Sequence, residues 1–276
     1  MLKTRVITAL VLMALLLPGI FLLPQAVWAL LVAAFIGVAA WEWGALLKWS
    51  ETGRRVLGVA TAALCAGISL LDPAVLGVVG YFVPATGWAL AFYAVSAAFW
   101  CLLVPLWLRS QWALGGVSGL LVGAVVLLPT WLAMVQLRAL GPWGLLGIFA
   151  VVWMADIAAY FSGRAFGKRK MAPTISPGKT WAGACGAVVG VVLYGLAVRF
   201  GVGLRIPSLS VWVLVLLFVT AISIIGDLFE SLLKRKAGIK DSSNILPGHG
   251  GVLDRIDSLT STLPVVALAW LMFATR

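Results

Sequence analysis

The chain has 276 residues, of which 63% are hydrophobic and only 11% charged, with a mean hydropathy of +1.10. Soluble domains carry about 25% charged residues, and apolar runs near the ~20 residues that cross a bilayer recur along this chain. We therefore predict an all-α, polytopic transmembrane helix bundle without a separate soluble domain. The net charge of +11 suits basic cytoplasmic loops and attraction to anionic groups, whereas the lack of an extended basic soluble face argues against nucleic-acid binding.

The N-terminal half consists of apolar segments separated by short loops. Residues 1–5 are basic and precede an apolar run at 6–23, which we interpret as a retained first helix rather than a cleaved signal peptide, because many spans follow. Glu42 lies near the end of the second span, where an interfacial carboxylate near Lys48 is favoured over a site residue. Further spans are predicted at 26–47, 56–71, 88–108 and 114–137, and the competing division splits 56–108 into three.

The C-terminal half adds four predicted spans, at 143–163, 181–200, 209–230 and 259–275. With nine spans and the N-terminus inside, sixteen of the 20 Lys and Arg residues fall in cytoplasmic segments, as the positive-inside rule requires. We expect residues 1–140 to form a scaffold with possible dimer contacts and residues 141–276 to form the catalytic region. The loop at 231–257 is then cytoplasmic.

This loop, at 231–257, holds an unusual concentration of charge. Four Lys or Arg residues occur in its first ten positions, and three aspartates and the only histidine of the chain, His249, follow. Gly248, Gly250 and Gly251 bracket His249, and glycines allow close backbone approach to a ligand. We hypothesise that the loop belongs to the catalytic site of a phosphate-handling membrane enzyme.

Helical spacing extends this cluster into the neighbouring spans. Ionisable groups inside a membrane are costly and are functional candidates, although ion pairs between helices are the alternative. Residues three or four apart share a helix face. By this spacing, one helix face carries Asp227, Glu230, Ser231 and Lys234. A second face carries Asp156, Tyr160 and Arg164, and a third carries Asp254 and Asp257.

Several carboxylates beside several basic residues indicate Mg²⁺ and phosphates, because Mg²⁺ takes oxygen ligands and is usually held by one or two carboxylates plus substrate phosphates. A single histidine without a nearby cysteine argues against zinc. The SPGKT stretch at 176–180 is not a P-loop, because position 173 is Pro where the motif needs Gly. Lys179 and Thr180 lie at the start of a predicted helix, whose N-terminus favours anions. Lys179 therefore either binds phosphate or is a basic residue at a span end that only helps to set the membrane orientation.

The charged residues of 231–257, together with Asp156 and Asp227, resemble the signature of the phosphatidate cytidylyltransferase family, whose members are also called CDP-diacylglycerol synthases. Supporting matches include Asp156 with Ala159 and Tyr160, and Gly226 and Asp227. One departure is Ala182, where the family usually has an acidic residue two places after the Thr of its SPxKT stretch. The signature residues are Ser231, Lys234, Arg235, Lys240, Asp241, Leu246, Pro247, His249, Gly250, Gly251, Asp254, Arg255 and Asp257.

The resemblance implies transfer of CMP from CTP to phosphatidic acid, giving CDP-diacylglycerol and pyrophosphate. It also implies Mg²⁺ with a second, monovalent cation such as K⁺, a homodimer, and a cytoplasmic-membrane location with the site facing the cytoplasm. The expected metal ligands are Asp227 and Asp254, with Asp156 as an additional carboxylate. Catalytic roles are expected for Asp227, Asp254, Lys234, Asp241 and His249, and substrate contacts for Lys179, Ser231, Arg235, Lys240, Arg255 and Asp257.

Two alternatives remain open from the sequence. Another lipid-phosphate transferase, such as a CDP-alcohol phosphotransferase, would require a DGxxAR-type motif, which this chain lacks. A transporter that moves protons or cations would also use intramembrane carboxylates, but the absence of an evident repeat and the grouping of charge in one loop argue against it.

Overall fold

The computed structural model describes residues 2–76, 87–203 and 208–274. A π-helical turn at Phe99–Leu103 joins α4 to α5, so these two form one continuous helix and the described part contains nine long helices. The helices are α1 (Leu2–Leu22), α2 (Gln25–Leu46), α3 (Glu51–Leu71), α4 (Gly87–Ala98), α5 (Val104–Ser110), α6 (Gly116–Gln136), α7 (Pro142–Phe166), α8 (Trp181–Gly201), α9 (Leu209–Ala237) and α10 (Leu253–Ala274).

The predicted all-α class and helix count are confirmed. Eight helices are long and apolar enough to cross a bilayer, counting α4 and α5 as one, and α10 is the ninth long helix. The described residues of the 56–108 region hold two long helices, in agreement with the favoured division. α9 continues to Ala237, beyond its predicted end at 230, and α10 begins at Leu253, before its predicted start at 259. The prediction was based on apolar runs, and these helices continue past the apolar run into charged residues.

The core lies along α2, α6 and α10. α2 packs on α3, α6 packs on α2 and α10, and α9 packs on α10. Buried tryptophans join the inner helices: Trp43 Nε1 donates to Gly119 O at 3.0 Å, and Trp28 Nε1 donates to Met134 O at 3.1 Å. Each indole therefore fills the core and finds a backbone acceptor, as buried indoles normally do.

A short β-hairpin precedes α8 and was not predicted. β1 (Lys170–Ala172) pairs antiparallel with β2 (Ser176–Thr180), with Lys170 opposite Thr180. Strands of three and five residues are too short for a recognisable alternating pattern. Thr180 then caps α8, since its Oγ1 accepts a hydrogen bond from Gly183 N at 3.1 Å. The hairpin places Lys179 immediately before the helix, close to its predicted position.

Candidate active site

A cavity of about 480 Å³ lies between α7, β2, α8 and α9. Two of the polar faces predicted from helical spacing meet in it. α7 contributes Asp156, Tyr160 and Arg164, with Arg164 Nη1 donating to Tyr160 Oη at 3.2 Å. α9 contributes Asp227, and β2 contributes Lys179. The structure therefore brings three of the predicted site residues, Asp156, Lys179 and Asp227, around one space.

Asp227 is held from two directions. Lys179 Nζ lies 2.5 Å from Asp227 Oδ2, and Ser231 Oγ donates to Oδ1 at 3.4 Å from the next turn of α9. About 30% of the Asp227 side chain and 22% of the Lys179 side chain remain exposed. The pair is thus accessible from the cavity, so a bound anion could contact Lys179 and a bound cation could contact Asp227.

Lys234 links the last turns of α9 to the start of α10. Its Nζ lies 2.9 Å from Glu230 Oε2 and 2.6 Å from Asp254 Oδ1. Both carboxylates are nearly buried, with side-chain exposures of 5% for Glu230 and 4% for Asp254. Removing a partner from such a buried group is costly, because the remaining charge stays desolvated. The Lys234–Asp254 pair joins α9 to α10, so an interhelical ion pair, the alternative considered for these residues, is present, whereas the Lys234–Glu230 pair lies within α9.

Asp254 also organises the loop that precedes α10. Its Oδ2 accepts hydrogen bonds from Ser242 N at 2.9 Å, Ser242 Oγ at 3.0 Å and Gly251 N at 2.8 Å. A carboxylate in the first turn of a helix is also favoured by the helix dipole. Within the described part of the chain, Oδ1 receives only Lys234 and keeps capacity for a further ligand.

Glu42 holds the loop that precedes α10, a structural role that the sequence interpretation missed. It is fully buried, and its Oε1 accepts from Ser243 Oγ at 2.6 Å and Val252 N at 3.0 Å. Its Oε2 accepts from Ser242 Oγ at 3.1 Å and Leu253 N at 2.6 Å. The interpretation as an interfacial carboxylate near Lys48 is wrong. The missed signal was a carboxylate among apolar residues of a span, which is a functional candidate by default.

Gly250 and Gly251, which follow His249, occupy positions where a side chain would not fit. Gly250 has φ +79°, and a Cβ there would lie 2.5 Å from Asp254 Oδ2. A Cβ on Gly251 would overlap Ser242 Oγ and the Glu42 carboxylate. A side chain at either position would therefore displace the carboxylates that hold the loop.

The remaining predicted residues surround these groups. Arg235 is exposed, and its Nε donates to Ile175 O of the hairpin loop at 3.3 Å. Asp257 Oδ1 accepts from Ser258 N at 2.6 Å. The side chains of Lys240, Asp241 and Arg255 are exposed, and His249 is partly buried.

The carboxylates of α7, α9 and α10 lie close enough for their charges to interact. Asp156 interacts with Asp227, Lys179 and Arg255. Asp257 in turn interacts with Asp227, Glu230 and Asp156. The aspartates of α7, α9 and α10 therefore act on one another electrostatically.

The donor set fits a hard cation. No three His, Cys, Asp or Glu side chains of the described residues are grouped closely enough to hold an ion by themselves. Mg²⁺ does not require three, because one or two carboxylates together with substrate phosphates usually suffice. Asp156 and Asp227 face one cavity, and the free capacity of Asp254 Oδ1 lies beside Lys234.

These features are typical of an integral membrane enzyme that acts on phosphates: a helix bundle, carboxylates paired with lysines at helix ends, and a cavity between them. The chain belongs to the cytidylyltransferase family, whose model matches residues 3–273. The resemblance noted from the sequence is thereby confirmed.

Two curated relatives match nearly the whole chain, and a third matches about half of it. It is 43% identical over 277 residues to the phosphatidate cytidylyltransferase of Pseudomonas aeruginosa, a match that covers 98% of this chain and 97% of the relative. It is 37% identical over 284 residues to that of Haemophilus influenzae, covering 96% of each. The match to that of Bacillus subtilis is 41% over 143 residues, covering 51% and 53%.

Proposed function

We propose that the protein is a phosphatidate cytidylyltransferase, which transfers CMP from CTP to phosphatidic acid and releases pyrophosphate. The observation that carries this function is the full-length similarity to phosphatidate cytidylyltransferases, joined to a cavity lined by Asp156, Asp227 and Lys179. The product is CDP-diacylglycerol, a precursor in phospholipid biosynthesis.

The reaction requires little acid–base chemistry. An anionic phosphate oxygen of phosphatidic acid attacks the α-phosphorus of CTP, and the bond from that phosphorus to the bridging oxygen of the β-phosphate breaks. The electron pair leaves with pyrophosphate, and the attacking oxygen needs no strong general base. The difficulty is to bring two polyanions together, so catalysis depends on positioning and charge neutralisation.

The described contacts support separate roles for the basic residues. Lys179 borders the cavity and reaches Asp227, so it is suited to binding CTP phosphates. Lys234 forms ion pairs with Glu230 and Asp254, so its role is to orient the Asp254 carboxylate and not to bind substrate directly. The exposed Arg235, Lys240 and Arg255 are suited to phosphate binding, with Ser231, Asp241, His249 and Asp257 completing the site.

We assign Mg²⁺ to Asp227 and Asp254, with Asp156 as an additional carboxylate, and a second, monovalent cation such as K⁺ beside it. Bound there, Mg²⁺ would neutralise charge on the CTP phosphates. The open Oδ1 of Asp254 and the cavity-facing oxygens of Asp156 and Asp227 support the assignment.

Charge distribution supports an orientation in the cytoplasmic membrane. Basic residues are concentrated in the segment before α8 and in the last turns of α9 with the loop that follows, which are cytoplasmic by the positive-inside rule. The N-terminus is then inside, and the site faces the compartment that contains CTP. A homodimer with contacts in the N-terminal half completes the proposal.

Radiolabelled CTP tests the function directly. Membranes containing the protein, supplied with α-labelled CTP, phosphatidic acid and Mg²⁺, should produce an organic-extractable CMP lipid. Chelation of divalent ions should abolish the product, and added Mg²⁺ should restore it. No lipid-bound CMP at any Mg²⁺ concentration would favour another lipid-phosphate transferase or a transporter.

Lys179→Met should lower kcat/KM for CTP by about 10- to 100-fold, because a charge-assisted contact to phosphate is lost from the cavity. Steady-state kinetics with CTP as the varied substrate measures the change. Lys168→Met is the matched control, since Lys168 is exposed and does not line the cavity. Equal kcat/KM values for the two variants would show that Lys179 does not bind the CTP phosphates.

A further inference from the structure

A second cavity, of about 360 Å³, forms a groove between α1, α2, α7 and α10. It shares one lining residue, Asp156, with the first cavity. The apolar part of the groove is lined by Leu12, Leu16, Trp28, Phe35, Phe149 and Trp153.

The other end of this groove is polar. His249, Asp254, Arg255 and Asp257 line it beside the shared Asp156. His249 Nδ1 is buried without a hydrogen-bond partner within the described residues. Arg255 forms no ion pair there either, although its charge acts on Asp156. A hydrogen-bonding imidazole and a guanidinium thus lie where an apolar groove ends.

α1 forms a thin wall of the groove and contacts the catalytic loop. Only 11% of its apolar window is buried, against 61% for α2. Thr8 Oγ1 donates to Pro247 O at 2.8 Å, two residues before His249. The largely exposed helix that lines one side of the groove is therefore attached to the segment that carries the polar end of the groove.

We infer that this groove binds an acyl chain of phosphatidic acid, with the phosphate placed near Arg255 and His249. The inference rests on the proposed function and extends it by locating the lipid substrate. Its basis is the chemistry of the lining: Arg255 and the unpartnered imidazole nitrogen suit a phosphate monoester, and the apolar walls suit the chain. The three aspartates beside them would require a divalent cation between their carboxylates and the phosphate. The shared Asp156 places the lipid phosphate next to the nucleotide cavity, as the transfer requires.

Photocrosslinking locates the chain independently of turnover. Phosphatidic acid with a diazirine in one acyl chain should label α1 and α2 peptides that contain Leu12, Leu16 and Phe35. Excess unlabelled phosphatidic acid should suppress this labelling, whereas phosphatidylcholine should not. Labelling spread over other helices, or suppressed equally by both lipids, would overturn the inference.

A pair of variants on α1 tests the same groove by kinetics. Leu12→Trp fills it and should raise KM for long-chain phosphatidic acid about tenfold, with KM for CTP nearly unchanged. Dihexanoyl phosphatidic acid should be affected much less, because its chains are short. Leu10→Trp is the matched control, since Leu10 is 64% exposed and outside the groove, and it should behave as wild type.

The outcomes separate the two proposals. Equal kinetics for Leu12→Trp and Leu10→Trp, with a wild type that makes CDP-diacylglycerol, would overturn the groove and leave the enzyme function standing. A wild type that makes no CDP-diacylglycerol would refute the enzyme function, and the crosslinking competition would still decide whether phosphatidic acid occupies the groove.

Discussion

Asp227→Asn is expected to lower CTP turnover by about 100- to 1,000-fold while the protein still folds. The amide keeps the size of the side chain but loses the charge that faces the cavity and pairs with Lys179. Lys179 loses its ion-pair partner, but both side chains are partly exposed, so water from the cavity can solvate the ammonium group. Purified protein in detergent should show this loss in a CTP-dependent assay, with an unchanged thermal transition.

Two comparisons make this result specific. Glu51→Gln removes a carboxylate that pairs with Arg54 and Arg55 on α3, and it should retain full activity. Asp254→Asn should lose both activity and stability, because Asp254 Oδ2 accepts three hydrogen bonds from the loop. Near-normal activity in both Asp227→Asn and Asp254→Asn would refute the metal assignment.

Glu42→Ala is expected to destabilise the protein by about 3 kcal/mol or more and to abolish activity. Three donors would lose their acceptor: Ser243 Oγ and the backbone N–H groups of Val252 and Leu253 at the start of α10. Ser242 Oγ, the fourth donor to Glu42, would still reach Asp254 Oδ2. The loop that carries Asp254 would then no longer be held against α2. A lower midpoint of thermal unfolding in detergent, together with lost turnover, measures the effect.

Glu42→Gln provides the graded control. The amide preserves volume but offers a single acceptor oxygen, so stability and activity should fall between those of wild type and Glu42→Ala. Wild-type unfolding and turnover in Glu42→Ala would show that the hydrogen bonds of Glu42 do not hold the catalytic loop.

Much of this fold could be predicted because bilayers constrain the chain strongly. Every backbone polar group in lipid must be satisfied internally, so apolar runs of sufficient length become helices. Helical periodicity then related Asp227 to Ser231 and Glu230 to Lys234, and both contacts are present. These relations act over one turn, so they follow from local geometry.

Contacts between distant segments had no comparable signal. Glu42 and Ser242 are 200 positions apart, and their hydrogen bond depends on how α2 packs beside the start of α10. The pairing of Lys179 with Asp227 likewise requires a hairpin too short to predict. Local periodicity defines which face of a helix is polar, but the partner of that face depends on helix packing and loop geometry. Composition and spacing thus established the membrane helices and grouped the candidate site residues, whereas packing determined that Glu42 holds the loop before α10 and that Asp156 borders both cavities.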